Sequence, residues 1–126
     1  MGSNVPDSSD RRRVLFVEDE AALQSAYRRY FEQRYDTAFA GTGAEALEQF
    51  QTFAPDVVVI DLHLPDTDGL EILRRMREAR PVLPIVITSG YASMLPVMEV
   101  MGIQHHGYLI KPFELAALRA CIDAAR

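Results

Sequence analysis

Short runs of aliphatic and β-branched residues alternate with longer, more polar segments along the chain and predict five β-strands. Three of the runs are continuously apolar, which is typical of strands covered on both faces in a parallel sheet. The runs lie at residues 14–17, 37–40, 57–60, 85–88 and 108–110, and the second is the weakest. Helices are therefore expected on both faces of the sheet.

The segments between the runs carry apolar residues at the three- and four-residue steps of an amphipathic helix. The clearest examples are Leu23, Ala26, Tyr27 and Tyr30 in the first segment, and Leu115, Leu118, Ile122 and Ala125 in the last. This spacing predicts a helix in each of these two segments.

Two polar pairs mark where the second and third helices begin. The pairs are Thr42 with Glu45, and Asp68 with Glu71. Each has the spacing of a cap residue and a later acid that together satisfy the first free amides of a helix. The helices should therefore start near Gly43 and Gly69. A fourth helix is expected around residues 94–101, with Pro96 in its first turn.

Five β–α units in succession predict an α/β fold with a doubly wound parallel sheet, because crossovers between parallel strands are right-handed. In such a sheet the ligand site lies beyond the carboxyl ends of the strands, where the strand order reverses. Functional side chains are therefore expected directly after the apolar runs.

Composition narrows the class of protein. A chain of 126 residues, 48% of them apolar, suits one globular domain. Its net charge of −5 disfavours direct nucleic acid binding, and its one cysteine, Cys121, excludes an internal disulfide framework. No apolar run approaches the roughly 20 residues of a membrane span. The start of the chain also lacks a secretory signal. A cytoplasmic protein with no membrane partner is expected.

Some segments are expected to carry no chemistry. Residues 1–11 are predicted to be a disordered N-terminal tail or the remnant of an expression tag, which leaves a folded domain at 12–126. Two arginine groups are predicted to be solvated and are assigned no function. They are Arg11-Arg12-Arg13, and Arg74, Arg75, Arg77 and Arg80 of the third helix.

Polar residues end or directly follow four of the five predicted strands. They are Glu18-Asp19, Asp61, Thr88-Ser89 and Lys111-Pro112. Three carboxylates at one site repel one another, so a divalent cation is implied. Oxygen ligands favour Mg²⁺ or Mn²⁺ over zinc, and we choose Mg²⁺. An aspartate beside Mg²⁺ and a lysine can act as a nucleophile toward phosphorus, which implies an aspartyl phosphate.

Four stretches of the sequence resemble, in order and spacing, the receiver domains of the two-component response regulators. They are Val17-Glu18-Asp19, residues 61–69, Thr88-Ser89-Gly90 and residues 107–113. The resemblance covers about residues 12–126. It implies a flavodoxin-like (βα)5 sandwich whose five-stranded parallel sheet has the strand order 2-1-3-4-5.

The resemblance also implies which residues hold the metal and the phosphoryl group. Asp61 is implied as the phosphorylated residue. The ligands of Mg²⁺ are implied to be the carboxylates of Glu18, Asp19 and Asp61 and the backbone carbonyl of His63.

Further roles follow from the same resemblance. Lys111 and Ser89 are implied to stabilise the phosphoryl oxygens. Pro112 and Gly69 are implied as structural residues at the site, with the Lys111–Pro112 bond commonly cis in the family.

A switch pair is implied as well, made of a hydroxyl residue after the fourth strand and an aromatic residue, Tyr108, three before the lysine. The hydroxyl is Thr88 or Ser89, and we favour Ser89 because its separations from Asp61 and Lys111 fit common members of the family. Ser89 is expected to move toward the phosphoryl group and Tyr108 to turn inward. The face of the fourth helix, fifth strand and fifth helix would then change shape.

The implied phosphoryl donor is a sensor histidine kinase or a histidine phosphotransfer protein. The implied recipient of the signal is an output domain, on the same chain or a separate one, and a phosphorylation-dependent homodimer is a further partner. The chain is thus expected to be a signalling switch that catalyses only its own phosphotransfer and dephosphorylation. The alternative is a receiver-fold docking module that works without phosphorylation.

Two enzyme or carrier classes fit the sequence less well. A flavin carrier on this fold needs a phosphate-binding loop after the first strand, where this chain has Glu18-Asp19-Glu20. A phosphatase for small molecules needs a second acid close to the nucleophile and a cap over the substrate, and the sequence offers neither.

Overall fold

The five predicted strands are present and pair in the predicted order. The structure, a computed structural model, describes residues 11–90, 102 and 104–126. Its strands are β1 (Arg13–Val17), β2 (Asp36–Ala40), β3 (Val57–Asp61), β4 (Ile85–Ser89) and β5 (Gly107–Ile110). All pairings are parallel, in the order β2-β1-β3-β4-β5. Each strand is one residue longer than its apolar run, because the backbone ladder continues into a residue outside that run.

The helices lie between the strands as expected. They are α1 (Ala21–Phe31), α2 (Gly43–Phe53), α3 (Gly69–Ala79) and a C-terminal helix (Leu115–Ala124). The helix predicted around residues 94–101, and residues 1–10 of the predicted tail, lie outside the described residues. None of the described helices has both the length and the apolar character needed to cross a bilayer.

Side chains alternate along the strands, so the sheet has an apolar core on each face. Leu15 of β1 belongs to the core beneath α2 and α3, which we call the α2/α3 core. Phe16 belongs to the core beneath α1 and the C-terminal helix, which we call the α1 core. The Phe16 ring lies 5.0 Å from the ring of Tyr27 and 5.2 Å from that of Phe31, which fixes α1 on the sheet.

The predicted helix starts are confirmed, although the cap contacts differ in detail. The Thr42 hydroxyl accepts from the Glu45 amide at 3.1 Å, and the Asp68 carboxylate accepts from the Leu70 amide at 2.9 Å. The Glu71 side chain pairs with Arg74 and Arg75 and does not return to the cap. The negative charge of Glu71 is compensated by these two guanidinium groups on the exposed face of α3.

The prediction that Arg11-Arg12-Arg13 is simply solvated is wrong. Each guanidinium donates to backbone carbonyls at the C-terminal end of a different helix. Arg11 bonds the Glu32 carbonyl after α1, Arg12 bonds the Ile122 and Ala125 carbonyls, and Arg13 bonds the Phe53 carbonyl of α2. Carbonyls at a helix C-terminus carry partial negative charge and most lack a partner within the helix, so they attract these cations.

In the second arginine group, the prediction holds for two of the four residues. Arg74 and Arg75 are exposed, as predicted. Arg77 donates to the carbonyls of Leu83 and Gln104 at 2.7 and 2.8 Å, and Arg80 donates to that of Pro55. Arg77 and Arg80 therefore join α3 to neighbouring loops.

Candidate functional site

The fold brings three carboxylates together at the carboxyl ends of β1 and β3. Glu18 and Asp19 follow β1, and Asp61 ends β3. One carboxylate oxygen of each lies within 4.8 Å of those of the other two. Glu18 and Asp61 are buried, with 0% and 2% exposure, whereas Asp19 is exposed. The three acids therefore form a compact cluster that is open to solvent at Asp19.

Lys111 joins the two buried acids of this cluster. Its Nζ donates to Asp61 Oδ2 at 2.7 Å and to Glu18 Oε1 at 2.9 Å. The Lys111 amide donates to the Ser89 carbonyl at 2.8 Å, which continues the β4–β5 ladder and holds the side chain over the cluster. The Lys111–Pro112 bond is cis.

The electrostatics of the cluster follow from burying acids side by side. Burial raises the pKa of Glu18 to about 7, and the charge of Asp61 adds to the rise, although the Glu20 amide and Lys111 oppose it. Burial also lowers the pKa of Lys111, but its hydrogen bonds to Asp61 and Glu18 outweigh that and raise it overall. One ammonium group thus compensates the buried acids only in part, which favours binding of a further cation.

The loop after β3 fixes the Asp61 carboxylate. Asp61 Oδ1 accepts from the His63 amide at 2.9 Å, and the Gly69 amide donates to the Leu62 carbonyl at 3.0 Å. A Cβ on Gly69 would lie 2.5 Å from Leu62 Cα and 2.7 Å from the Asp61 carbonyl oxygen, so only glycine fits there without a shift of the backbone.

The two candidate switch hydroxyls lie on opposite faces of β4. Both Thr88 and Ser89 are buried. Strand alternation places Thr88 toward the α1 core and Ser89 toward the α2/α3 core, against which Tyr108 packs. The structure therefore brings Ser89 and Tyr108 to the same face. The Tyr108 ring also makes an edge contact with the ring of His105, at 6.2 Å.

A buried tyrosine beneath the cluster was not singled out by the sequence. Tyr27 of α1 is 1% exposed. Its hydroxyl lies beside Thr88 but makes no well-aligned hydrogen bond with any described residue. Burial raises the pKa of Tyr27 well above its ordinary value, and the charges of Glu18 and Asp61 add to the rise. Helical spacing predicted that Tyr27 faces the core, but it gave no signal of what its hydroxyl meets.

The sequence was compared with known protein families. Residues 14–123 match the response regulator receiver domain family. The chain belongs to this family. The match includes all of the candidate site, from Glu18 to Lys111, and confirms the resemblance seen in the four sequence stretches.

Relatives of this receiver domain include larger regulatory proteins. The chain is 38% identical to the transcriptional regulatory protein TrcR of Mycobacterium tuberculosis, over 86% of this chain and 42% of that protein. It is 32% identical to the regulatory protein AtoC of Escherichia coli, over 90% of this chain and 25% of that protein. The chain thus spans less than half the length of these two relatives.

Solved structures support the same fold for this receiver domain. A CheY-like receiver domain protein from Methanospirillum hungatei JF-1 aligns with a TM-score of 0.83 and 25% identity, over 90% of this chain and 92% of that one. The receiver domain of the Francisella response regulator 1452 aligns with a TM-score of 0.79 and 30% identity, over 89% and 93% of the two chains. The predicted flavodoxin-like fold is confirmed.

Proposed function

We propose that this receiver domain, residues 12–126, is the phospho-accepting switch of a two-component system and takes a phosphoryl group onto Asp61. The observation that carries the proposal is the pair of hydrogen bonds from Lys111 to Asp61 and Glu18 inside a cluster of three carboxylates. The Asp61 carboxylate can act as the nucleophile, and the Lys111 ammonium group, 2.7 Å away, can stabilise the negative charge of the incoming phosphoryl group.

The donor set of the cluster fits Mg²⁺. Three carboxylates converge with neither sulfur nor imidazole among them, and burial together with the charge of Asp61 raises the pKa of Glu18, which a cation would offset. Glu18, Asp19 and Asp61 would hold the ion together with the backbone carbonyl of His63. When bound, Mg²⁺ supplies positive charge that neutralises the acids and the transferring phosphoryl oxygens.

The residues of the chain account for the rest of the transfer step. The phosphoryl donor is the phosphohistidine of a sensor kinase or a histidine phosphotransfer protein. A carboxylate oxygen of Asp61 forms the new P–O bond as the P–N bond breaks, and the imidazole leaves with the electron pair and takes up a proton. The His63 amide orients the Asp61 carboxylate, and Lys111 shifts its hydrogen bonds to the phosphoryl oxygens.

The switch uses the residues that share a face with Ser89. A phosphoryl group adds about two negative charges and three acceptor oxygens. Charge-assisted hydrogen bonds from Ser89 and Lys111 contribute roughly 1.5 to 3 kcal/mol each. The two together approach the roughly 5.5 kcal/mol that inverts a 1:99 equilibrium. Tyr108 then turns inward toward the space that Ser89 leaves, and the surface around β5 changes.

The partners follow from this role. The altered face is proposed to control an output domain, on the same chain or a separate one, or to form a phosphorylation-dependent homodimer. The proposed location is the cytoplasm, where the phosphoryl donors of two-component systems work. The chain acts as a signalling switch and catalyses only its own phosphotransfer and dephosphorylation.

Intact-mass spectrometry after incubation with acetyl phosphate tests the proposal. The native chain should gain one phosphoryl group, about 80 Da, with Mg²⁺ and not with EDTA, and the Asp61→Asn variant should gain none. A gain that persists in Asp61→Asn would place the phosphoryl group on another residue. No gain in any sample would favour the docking module that works without phosphorylation.

A further inference from the structure

The loop between β3 and α3 is bonded at its tip to a helix that begins more than 20 residues earlier in the chain. Asp66 accepts from the Gly43 amide at 2.7 Å and from the Ala44 amide at 3.1 Å, through its two carboxylate oxygens. Gly43 and Ala44 are the first two residues of α2. One carboxylate therefore joins the loop that follows Asp61 to the start of α2.

This contact satisfies amides that the helix itself leaves free. The first amides of a helix have no partner within it and carry partial positive charge, so they favour an anionic acceptor. Thr42 takes the Glu45 amide, and Asp66 takes the two amides before it. The Gly43 amide is the main cause that holds the pKa of Asp66 below its ordinary value, so the carboxylate is ionised at neutral pH.

The residue after Asp66 is also packed against the start of α2. A Cβ on Gly43 would lie 2.4 Å from the Thr67 side chain and 3.0 Å from Ile72 Cδ1. Loop and helix are therefore in direct contact beside Asp66, whose carboxylate is itself exposed.

The base of the loop is fixed separately. His63 and Asp68 form an antiparallel bridge, and the His63 amide donates to Asp61. The loop is thus bonded at two places, at its base to the end of β3 and at its tip to α2. His63 lies in the chain between the base contact with Asp61 and the tip contact at Asp66.

We propose that Asp66 is a positioning residue that holds the β3–α3 loop, and with it the backbone at His63, in the conformation that binds Mg²⁺ and accepts the phosphoryl group. This inference rests on the proposed function. Without the contact to α2, residues 64–67 gain conformational freedom that metal binding must remove again, so apparent Mg²⁺ affinity falls.

Two alanine variants separate positioning from helix stability. Thr42→Ala and Asp66→Ala each remove an acceptor from the first turn of α2, but only Asp66 belongs to the loop. Both should lower the melting temperature by a few degrees. In titration calorimetry Asp66→Ala should weaken Mg²⁺ binding about tenfold and slow acetyl phosphate labelling at low Mg²⁺ by a similar factor. Thr42→Ala should change either quantity less than twofold.

Two outcomes would overturn the inference: Mg²⁺ affinity in Asp66→Ala equal to that of the native chain, or equal losses in both variants. If Asp66→Ala does not fold, Asp66→Asn keeps one acceptor and should show a smaller loss of Mg²⁺ affinity. In hydrogen exchange by NMR, Mg²⁺ should slow exchange of the Gly43 and Ala44 amides in the native chain more than in Asp66→Asn. Equal slowing would contradict the positioning role.

The native chain separates this inference from the proposed function. If native protein gains a phosphoryl group on Asp61 and the Asp66 variants behave like it, only the positioning role fails. If native protein neither binds Mg²⁺ nor gains mass, the proposed function fails and the role of Asp66 fails with it.

Discussion

At the amino ends of the strands, cations face backbone carbonyls, whereas at the carboxyl ends two buried acids of a three-carboxylate cluster share one lysine. Arg11, Arg12 and Arg13 each donate to carbonyls at a helix end, so charge and partner match. Glu18 and Asp61 are buried beside each other with Lys111 between them. The first edge contributes stability, whereas the second holds like charges together and compensates them with one ammonium group.

The difference shows how one sheet separates stability from function. Backbone carbonyls are numerous and fixed by the helices, so arginine contacts at the amino edge need no ligand. The carboxyl edge keeps its acids only partly compensated, and under the proposed function this cost to the free protein favours binding of a cation or a phosphoryl group.

The largest change in stability is expected when Lys111 is removed. Lys111→Met leaves two buried carboxylates without their counter-ion, so in EDTA the free energy of unfolding should fall by about 3 kcal/mol. Mg²⁺ should restore part of the loss. Urea unfolding followed by circular dichroism, with EDTA and with Mg²⁺, measures both. Unchanged stability in EDTA would mean that the acids are protonated and need no lysine.

At the opposite edge, Arg12→Ala should lower the free energy of unfolding by about 2 kcal/mol, because the Ile122 and Ala125 carbonyls lose a charged donor. Mg²⁺ should not restore this loss. Arg75→Ala, which removes an exposed pair with Glu71, is the control and should cost less than about 0.5 kcal/mol. A loss in Arg12→Ala that Mg²⁺ reverses would show that the two edges are coupled.

Glu18 gives the acidic edge a pH dependence. Its folded-state pKa is raised from 4.5 to about 7, so the folded protein binds this proton more tightly than the unfolded chain does. Stability in EDTA should therefore fall as pH rises from about 4.5 to about 7. Glu18→Gln should flatten this dependence by about 1 kcal/mol over that window. Thermal unfolding at several pH values tests this, and parallel curves for the two proteins would contradict it.

The smallest effect is expected beneath the acids. Tyr27→Phe removes a buried hydroxyl that lies beside Thr88 but makes no well-aligned hydrogen bond with the described residues. The free energy of unfolding should rise by up to about 1 kcal/mol, because the phenylalanine leaves no polar group to desolvate. Urea unfolding measures the change. A destabilised Tyr27→Phe protein would show that the hydroxyl does have a partner, such as an ordered water.

Much of the fold and of the acidic cluster could be predicted from the sequence for a simple reason. β-branched runs reveal buried strands, and parallel strands bring the residues after them to one edge. Glu18, Asp61 and Lys111 meet there although they are far apart in the chain. Local pattern and topology together were sufficient for these residues.

Other contacts could not be predicted, because they depend on which distant backbone groups lie within reach of a side chain. The spacing of Arg12 and Arg77 in the sequence says nothing about which carbonyls lie within reach. Asp66 stands in a turn-forming stretch, and its partners are the amides of a helix that starts 23 residues earlier. Helical spacing gave the burial of Tyr27 but not the neighbours of its hydroxyl.

The lysine contacts also have a consequence for how the protein matures. Lys111 meets Glu18 across 93 residues of sequence and Asp61 across 50. Contacts between such distant segments form late in folding, because the long intervening loops must close first. A chain whose β5 has not yet docked holds its acids without their lysine. Under the proposed function, competence to accept a phosphoryl group therefore arises only once the whole sheet is assembled.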